Sequence, residues 1–133
     1  MLYYISQYPL VEQKLREEIK KHMVDDDYSY DNLKNLVYLE MILKESRRMC
    51  CPATGTFLRE VKKNHYFSKI PVSKGTIISA LHTGNHFNPR FFKDPELFIP
   101  ERWEKERTDL HPFTFGGFGG GTRGCIGKNL SLL

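Results

Sequence analysis

The sequence Phe118-Gly-Gly-Gly-Thr-Arg-Gly-Cys-Ile-Gly127 holds a single cysteine in a glycine-rich loop near the end of the chain. Cys125 follows Arg123 by two residues, and a helix is predicted to begin at the cysteine. Backbone N–H groups in a glycine-rich turn and at a helix N-terminus stabilise a thiolate, the form of cysteine that binds metals. Glycines also let the backbone approach a flat macrocycle closely. The loop therefore favours one thiolate presented to a metal in a flat cofactor.

Other kinds of site share parts of this pattern. Gly119-x-Gly121-x-x-Gly124 matches the dinucleotide-binding fingerprint, but the preceding strand is weak and the chain ends before an acidic residue about 20 positions on. A Walker loop needs Lys-Ser/Thr after the glycines, and none follows. Zinc or an iron–sulfur cluster needs more cysteines at ligand spacing, whereas Cys50 and Cys51 are adjacent. A Phe/Gly-rich RNA-binding tract and a buried, inert thiol stay open from the loop alone.

The composition is ordinary for a soluble globular protein. The chain has 133 residues, of which 40% are hydrophobic and 27% charged, with a formal net charge of +4. Lys and Arg are interleaved with Asp and Glu, so a mixed solvated surface is expected rather than a nucleic-acid interface, and a basic docking face for an acidic protein partner stays open. Three cysteines, two of them adjacent, do not form a disulfide framework and favour a reducing compartment. The sequence contains neither a transmembrane run nor a signal peptide.

The hydrophobic pattern predicts two helices, a small β region and an irregular C-terminal part. Pro9 can begin a helix that extends to about His22, and a second helix is predicted from about Leu33 to Arg48, buried on several sides. Strands are predicted at Phe57–Val61, near Tyr66–Val72 and at Thr76–Ala80. Residues 85–103 are rich in proline and aromatics and predict an ordered, packed meander. A last helix is predicted over Cys125–Leu133.

These elements predict a mainly α fold with a small β-sheet, of the α+β class. One partial domain is expected over residues 1–133, built of four regions. They are the two helices (1–52), the β region (53–84), the meander (85–110), and the cysteine loop with its truncated helix (111–133).

Glu45 and Arg48 lie three residues apart on the second helix, so their side chains are neighbours. Glu45 falls near the face of Tyr38 and Ile42, which predicts partial burial. A surface ion pair contributes little and is one interpretation. A buried pair is the other, and it needs further hydrogen bonds to offset desolvation. Arg102 in the meander can supply a bidentate contact to the carboxylate and so fix the meander on the helix.

Three motifs together resemble the cytochrome P450 monooxygenases. Phe118-x-x-Gly121-x-Arg123-x-Cys125-x-Gly127 is similar to the family's haem-binding loop. Glu45-Ser-Arg-Arg48 resembles its Glu-x-x-Arg helix, and Pro100-Glu101-Arg102-Trp103 its Pro-Glu-Arg segment. The motifs occur in the family's order, and the resemblance covers essentially the whole chain. Two departures stand out: Arg47 where the family usually has an apolar residue, and the Cys50-Cys51 pair.

The resemblance implies a role for each motif residue. Cys125 would be the axial thiolate ligand of haem b (iron protoporphyrin IX), and Arg123 would contact a haem propionate. Arg59 would contact a second propionate, and Phe118 would shield the sulfur from water. Gly121 and Gly127 would shape the cofactor-binding loop. The structural triad would be Glu45, Arg48 and Arg102.

The resemblance also implies a function for the intact protein. It would be an oxidoreductase that inserts one oxygen atom from O2 into a small organic substrate, with electrons from a reductase, near which Lys128 would lie. A full-length eukaryotic-type member would sit on the cytoplasmic face of the endoplasmic reticulum membrane. Family members are several times longer, so this chain is expected to be a C-terminal fragment that lacks the oxygen-activating half and any catalytic residue. Ala53–Phe57 would line a substrate pocket. The alternative is a non-catalytic remnant or small binding module without stable haem.

Overall fold

A computed structural model describes residues 1–23, 27, 29–52, 58–105, 110–111 and 113–132. Within these ranges the α-helices are α1 (Leu2–Gln7), α2 (Pro9–His22), α3 (Tyr30–Leu33), α4 (Val37–Met49) and α5 (His82–His86). The β-strands are β1 (Leu58–Glu60), β2 (His65–Phe67), β3 (Ile70–Val72) and β4 (Ile77–Ser79). Short 3-10 segments span Pro100–Trp103, Gly121–Arg123 and Leu130–Leu132.

Helix α2 confirms the prediction of a helix from Pro9 to His22. Pro9 occupies the first turn, where its missing N–H removes no helical hydrogen bond. The buried face of α2 joins α1, α4 and the meander in one apolar core, whose buried members are Ile5, Val11, Leu15, Ile42 and Phe98. This core packs the meander against the helices and so positions the segment that follows it.

The second predicted helix was placed wrongly at its N-terminal end. The chain forms the short α3 and a turn, and α4 begins only at Val37, after the non-helical residue Leu36. The carboxylate of Glu18 on α2 accepts hydrogen bonds from the first N–H groups of α4, at 2.7 Å from Tyr38 N and 3.0 Å from Leu39 N. A negative charge there satisfies free N–H donors and interacts favourably with the helix dipole. The spacing of apolar residues does not predict this break between α3 and α4, because apolar residues continue across it.

The β region consists of two antiparallel pairs among the described residues. β1 pairs with β4, with Arg59 opposite Ile78, and β2 pairs with β3, with Tyr66 opposite Pro71. The segment predicted as one strand near Tyr66–Val72 is therefore a hairpin. Ser68 at its turn has a φ of 56°, the left-handed conformation that a tight turn requires. Ala53–Phe57, the predicted pocket segment, lies outside the described residues, as does the first residue of the first predicted strand.

The prediction of a helix over Cys125–Leu133 was wrong. The described residues form turns followed by the 3-10 segment Leu130–Leu132. Lys128 N–H donates to the Cys125 carbonyl at 3.3 Å and Leu132 N–H to the Asn129 carbonyl at 3.2 Å, both three residues back. The described part of this segment therefore forms turns and a 3-10 segment rather than a continuous α-helix.

The meander is ordered and packed against α4. Phe92 and Phe98 are buried, and the 3-10 segment Pro100–Trp103 lies directly on α4. The architecture confirms a mainly α fold with small antiparallel sheets. The division of the chain into four regions stays a prediction.

Candidate functional site

The Glu45 carboxylate is the centre of a buried hydrogen-bond network. Five N–H groups among the described residues donate to it. Arg48 donates from Nε to Oε2 at 3.0 Å and from Nη2 to Oε1 at 2.9 Å. Arg102 Nε and the Ile99 N–H reach Oε1 at 2.9 and 3.0 Å, and Trp103 Nε1 reaches Oε2 at 2.8 Å. Glu45 is 0% exposed, so the network, rather than water, satisfies its charge.

Both arginines of this network also hold the meander backbone. Arg48 donates to three carbonyls at 2.7 to 3.1 Å, those of His86, Pro95 and Leu97. Arg102 donates to three carbonyls at 2.7 to 3.3 Å, those of Lys93, Asp94 and Leu97. The structure thus brings together the three side chains that the sequence grouped, and their shared contacts fix the meander to α4.

Trp103 is a member of this network that sequence reasoning missed. Its indole N–H satisfies Glu45 Oε2, and its ring packs on Phe115 at a centroid distance of 4.7 Å. The side chain therefore connects the buried carboxylate to the segment that leads into the cysteine loop. The signal available in the sequence was an N–H-bearing aromatic next to Arg102, because buried tryptophans usually find an acceptor.

The Cys125 loop is held by backbone hydrogen bonds. Cys125 N–H donates to the Phe118 carbonyl at 2.7 Å, and Gly124 N–H donates to the Gly121 carbonyl at 3.1 Å. Gly119 and Gly121 have φ values of 70° and 64°, which favour glycine at these two positions. The Cys125 side chain is exposed. A Cβ added at Gly127 would stand 3.9 Å from the sulfur, so glycine there leaves the space beside the thiol open.

The remaining predicted site residues are arranged around this loop or on the β region. Arg123 is exposed at the end of the 3-10 segment Gly121–Arg123. Within the described ranges no carboxylate forms an ion pair with it. Arg59 lies on β1, is exposed, and donates from Nη1 to the Leu58 carbonyl at 2.8 Å. The hydrogen bonds and ring contacts described do not bring Arg59 to the cysteine loop.

The Phe118 ring contacts a cation on α4. Its ring centroid lies 4.6 Å from the guanidinium carbon of Arg47, which projects from α4. The Phe115 ring lies 5.9 Å from the same carbon. Burial lowers the pKa of Arg47, although the more distant Glu40 and Cys51 act in the opposite direction. Arg47, which stands where the cytochrome P450 pattern usually has an apolar residue, is therefore in direct contact with the loop.

A second polar cluster ties α2 and α4 to the meander. Glu101 accepts hydrogen bonds from Lys14 Nζ at 2.5 Å and from the Tyr38 hydroxyl at 2.9 Å. Burial raises the pKa of Tyr38, and the neighbouring Glu101 carboxylate raises it further. Burial alone would raise the pKa of Glu101, but the Lys14 and Tyr38 hydrogen bonds and the backbone outweigh it and lower that pKa. The cluster reinforces the attachment that the Glu45 network provides.

Comparison with known proteins identifies the family. The Cytochrome P450 family model matches residues 1–133. Cytochrome P450 3A19 from Capra hircus aegagrus is 34% identical over 135 residues, which cover 100% of this chain and 62% of that protein. Cytochrome P450 monooxygenase BOT1 from Botryotinia fuckeliana is 36% identical over 140 residues, which cover 98% of this chain and 26% of that protein. The solved structure of retinoic acid-bound cyanobacterial CYP120A1 matches with a TM-score of 0.90 at 30% identity, over 97% of this chain and 30% of that one.

The described residues form part of the cytochrome P450 fold. The chain belongs to the cytochrome P450 family. It spans 62% of the length of the Capra relative and 26% of the Botryotinia one. Members of the family are monooxygenases, and the family implies a haem cofactor. No helix among the described residues is long and apolar enough to cross a bilayer.

The residues around Cys125 fit a haem. The exposed thiol supplies one soft ligand, as expected of a haem-thiolate protein. Gly127 leaves open the space that a side chain would fill beside the sulfur. Ile126 is 103% exposed and Leu130 is 78% exposed, so apolar surface adjoins the thiol. Arg123, exposed and without an ion-pair partner among the described residues, matches an anionic carboxylate of the cofactor.

Proposed function

We propose that this chain supplies the thiolate-bearing side of the haem pocket of a cytochrome P450 monooxygenase, with Cys125 as the axial ligand. The observation that carries the proposal is the exposed Cys125 side chain, whose backbone N–H is tied to the Phe118 carbonyl at 2.7 Å. That hydrogen bond closes the loop, and the cysteine within it is exposed. The Glu45 network supports the proposal, because it fixes the meander and hence the approach to the loop.

The other residues would act on the cofactor's rim and on the space around the sulfur. Arg123 would pair with one haem propionate, and Arg59 with the other. Gly121 supplies the left-handed turn, with a φ of 64°, and Gly127 keeps the space next to the sulfur free. Phe118 would limit access of water on its side of the loop. Haem b, when bound through a thiolate, supplies O2 activation, because the thiolate donates electron density that favours O–O cleavage.

The activity proposed for the intact protein is insertion of one oxygen atom from O2 into a small organic substrate. Electrons would come from a reductase, for which Lys128 and neighbouring basic residues offer a contact. The protein would work on the cytoplasmic face of the endoplasmic reticulum membrane. We assign no catalytic residue within this chain: its residues bind and orient the cofactor.

The test is the spectrum of the reduced, CO-treated protein after loading with haem. The intact protein that carries this chain should show the long-wavelength Soret band of a thiolate-ligated haem. Cys125→Ala should abolish that band, whereas Cys50→Ala should retain it, since Cys50 is also an exposed thiol but lies at the end of α4. Equal loss in both variants, or a band that survives Cys125→Ala, would contradict the assignment.

The 133-residue chain by itself should bind haem weakly. The chain spans 26% of the Botryotinia relative, so most of that protein has no counterpart in these 133 residues. Titration of the purified chain with haem measures this directly. Tight binding with a thiolate spectrum would contradict the expectation. Absence of thiolate binding even in the intact protein would favour the non-catalytic remnant or binding module.

A further inference from the structure

Arg47 is a half-buried cation whose neighbours are aromatic rings. It lies on α4 between Ser46 and Arg48, and its Nε donates to the Leu43 carbonyl at 3.3 Å. Among the described residues no carboxylate oxygen lies within ion-pairing distance of its guanidinium. Such burial costs free energy, so the ring contacts must offset part of it.

The partner of this cation is the segment that leads into the cysteine loop. The guanidinium carbon lies 4.6 Å from the Phe118 ring centroid and 5.9 Å from that of Phe115. The aliphatic stem passes beside Gly117, since a Cβ added at this glycine would lie 3.9 Å from Arg47 Cβ. The charged end of Arg47 thus contacts the Phe115 and Phe118 rings, and its stem passes beside Gly117 between them.

Phe118 connects this contact to the ligand. Its carbonyl accepts the N–H of Cys125 at 2.7 Å, while its ring faces Arg47. The helix end that carries Arg47 is itself fixed, since the next residue, Arg48, is fully buried and bonded to Glu45 and to meander carbonyls. A continuous series of contacts therefore links the buried Glu45 network, through Arg47 and Phe118, to the backbone of Cys125.

We propose that Arg47 is a positioning residue for the Cys125 loop: its guanidinium holds the Phe118 ring, and the Phe118 carbonyl in turn fixes the N–H of Cys125. This inference rests on the proposed function for its consequence at the haem, but not for its structural claim. An apolar residue at position 47 would still pack on the segment, yet it would lose the attraction between cation and ring.

The first measurement is amide hydrogen exchange at Cys125 in the intact protein that carries this chain. Arg47→Met should speed exchange about two- to thirtyfold, the range expected for loss of one cation–π contact. Arg47→Lys, which keeps a cation, should lie between Met and wild type. Lys44→Met is the matched control, because it removes a cation of α4 that pairs with Glu40 instead, and exchange at Cys125 should not change.

A double-mutant cycle with Phe118→Leu separates this contact from general loosening. In the Phe118→Leu background, Arg47→Met should have little further effect on Cys125 exchange. Additive effects would overturn the proposal. The proposal would also be overturned if Arg47→Met raised hydrogen exchange at Cys125 no more than in α2, because the loss of protection would then be global.

The second measurement is the thiolate-ligated fraction in the reduced, CO-treated haem protein. That fraction should fall in Arg47→Met, recover in part in Arg47→Lys, and stay at the wild-type level in Lys44→Met. An unchanged fraction in Arg47→Met would overturn the consequence at the haem. If the wild type itself gave no thiolate spectrum, the proposed function would fail, and the exchange data would still decide the role of Arg47.

Discussion

Replacing Glu45 by glutamine tests the centre of the buried network with the smallest change in shape. The carboxylate accepts hydrogen bonds from Arg48, Arg102, Trp103 and the Ile99 N–H. Glutamine keeps one acceptor oxygen, but its NH2 group would face N–H donors, which cannot accept a hydrogen bond. It also removes the negative charge that, among the described residues, pairs with two arginines that are 0% and 7% exposed.

The expected cost follows from that burial. Removing one partner of a buried ion pair typically destabilises a protein by about 3–5 kcal/mol, because the remaining charge stays desolvated. Two cations lose their partner here, so the upper part of that range is expected. A domain's whole stability is about 5–15 kcal/mol, and the variant should therefore be largely unfolded or strongly destabilised. Trp103→Phe, which removes one donor and leaves both charges paired, should cost less, about 1.5–3 kcal/mol.

Urea unfolding, followed by circular dichroism, measures these free energies. Glu40→Gln is the matched control, because Glu40 lies on the same helix, pairs with Lys44, and has a side chain that is 62% exposed. Its loss should cost no more than about 1 kcal/mol. A Glu45→Gln protein as stable as Glu40→Gln would refute the argument that the buried carboxylate fixes the meander to α4.

Three smaller changes test the remaining contacts of α4. Glu18→Gln should reduce the free energy of unfolding by about 1 kcal/mol, because a carboxylate that caps α4 is lost, while Glu17→Gln should leave urea unfolding unchanged. Burial acts to raise the pKa of Glu101, but the hydrogen bonds led by Lys14 lower this pKa overall. The contribution of Glu101 to stability is therefore present above the ordinary glutamate pKa and is lost as pH falls through the lowered value. Unfolding measured along an acid series should therefore depend less on pH in Glu101→Gln than in wild type. Burial and Glu101 raise the pKa of Tyr38, so its contribution is lost as pH rises above the ordinary tyrosine pKa, and Tyr38→Phe should flatten the alkaline limb.

Local sequence patterns predicted much of the framework. Pro9 and the spacing of Val11 and Leu15 predicted α2 because a helix start and an apolar stripe are properties of neighbouring residues. The three-residue spacing of Glu45 and Arg48 put both on one helix face for the same reason. The glycine-rich turn of the cysteine loop was also predictable from the sequence, since glycine's conformational freedom is a property of the residue type.

The predictions failed where the ends of elements depend on distant groups or on short segments. The start of α4 is set by Glu18, which lies 20 positions before Tyr38, so no window of neighbouring residues contains the signal. The predicted helix after Cys125 is a run of turns followed by a 3-10 segment, so residues that could begin a helix do not continue one there.

The sequence alone established which groups were available: one thiol in a turn that requires glycine, and a glutamate one helical turn from an arginine. Packing decided which of these groups meet. Trp103 contacts Glu45 across 58 positions of the sequence, and Arg47 contacts Phe118, which lies far beyond it in the chain, only because the apolar core packs the meander onto α4. The physical reason is that local patterns record the conformation of a segment, whereas hydrogen-bond partners of buried charges are fixed by the arrangement of whole elements.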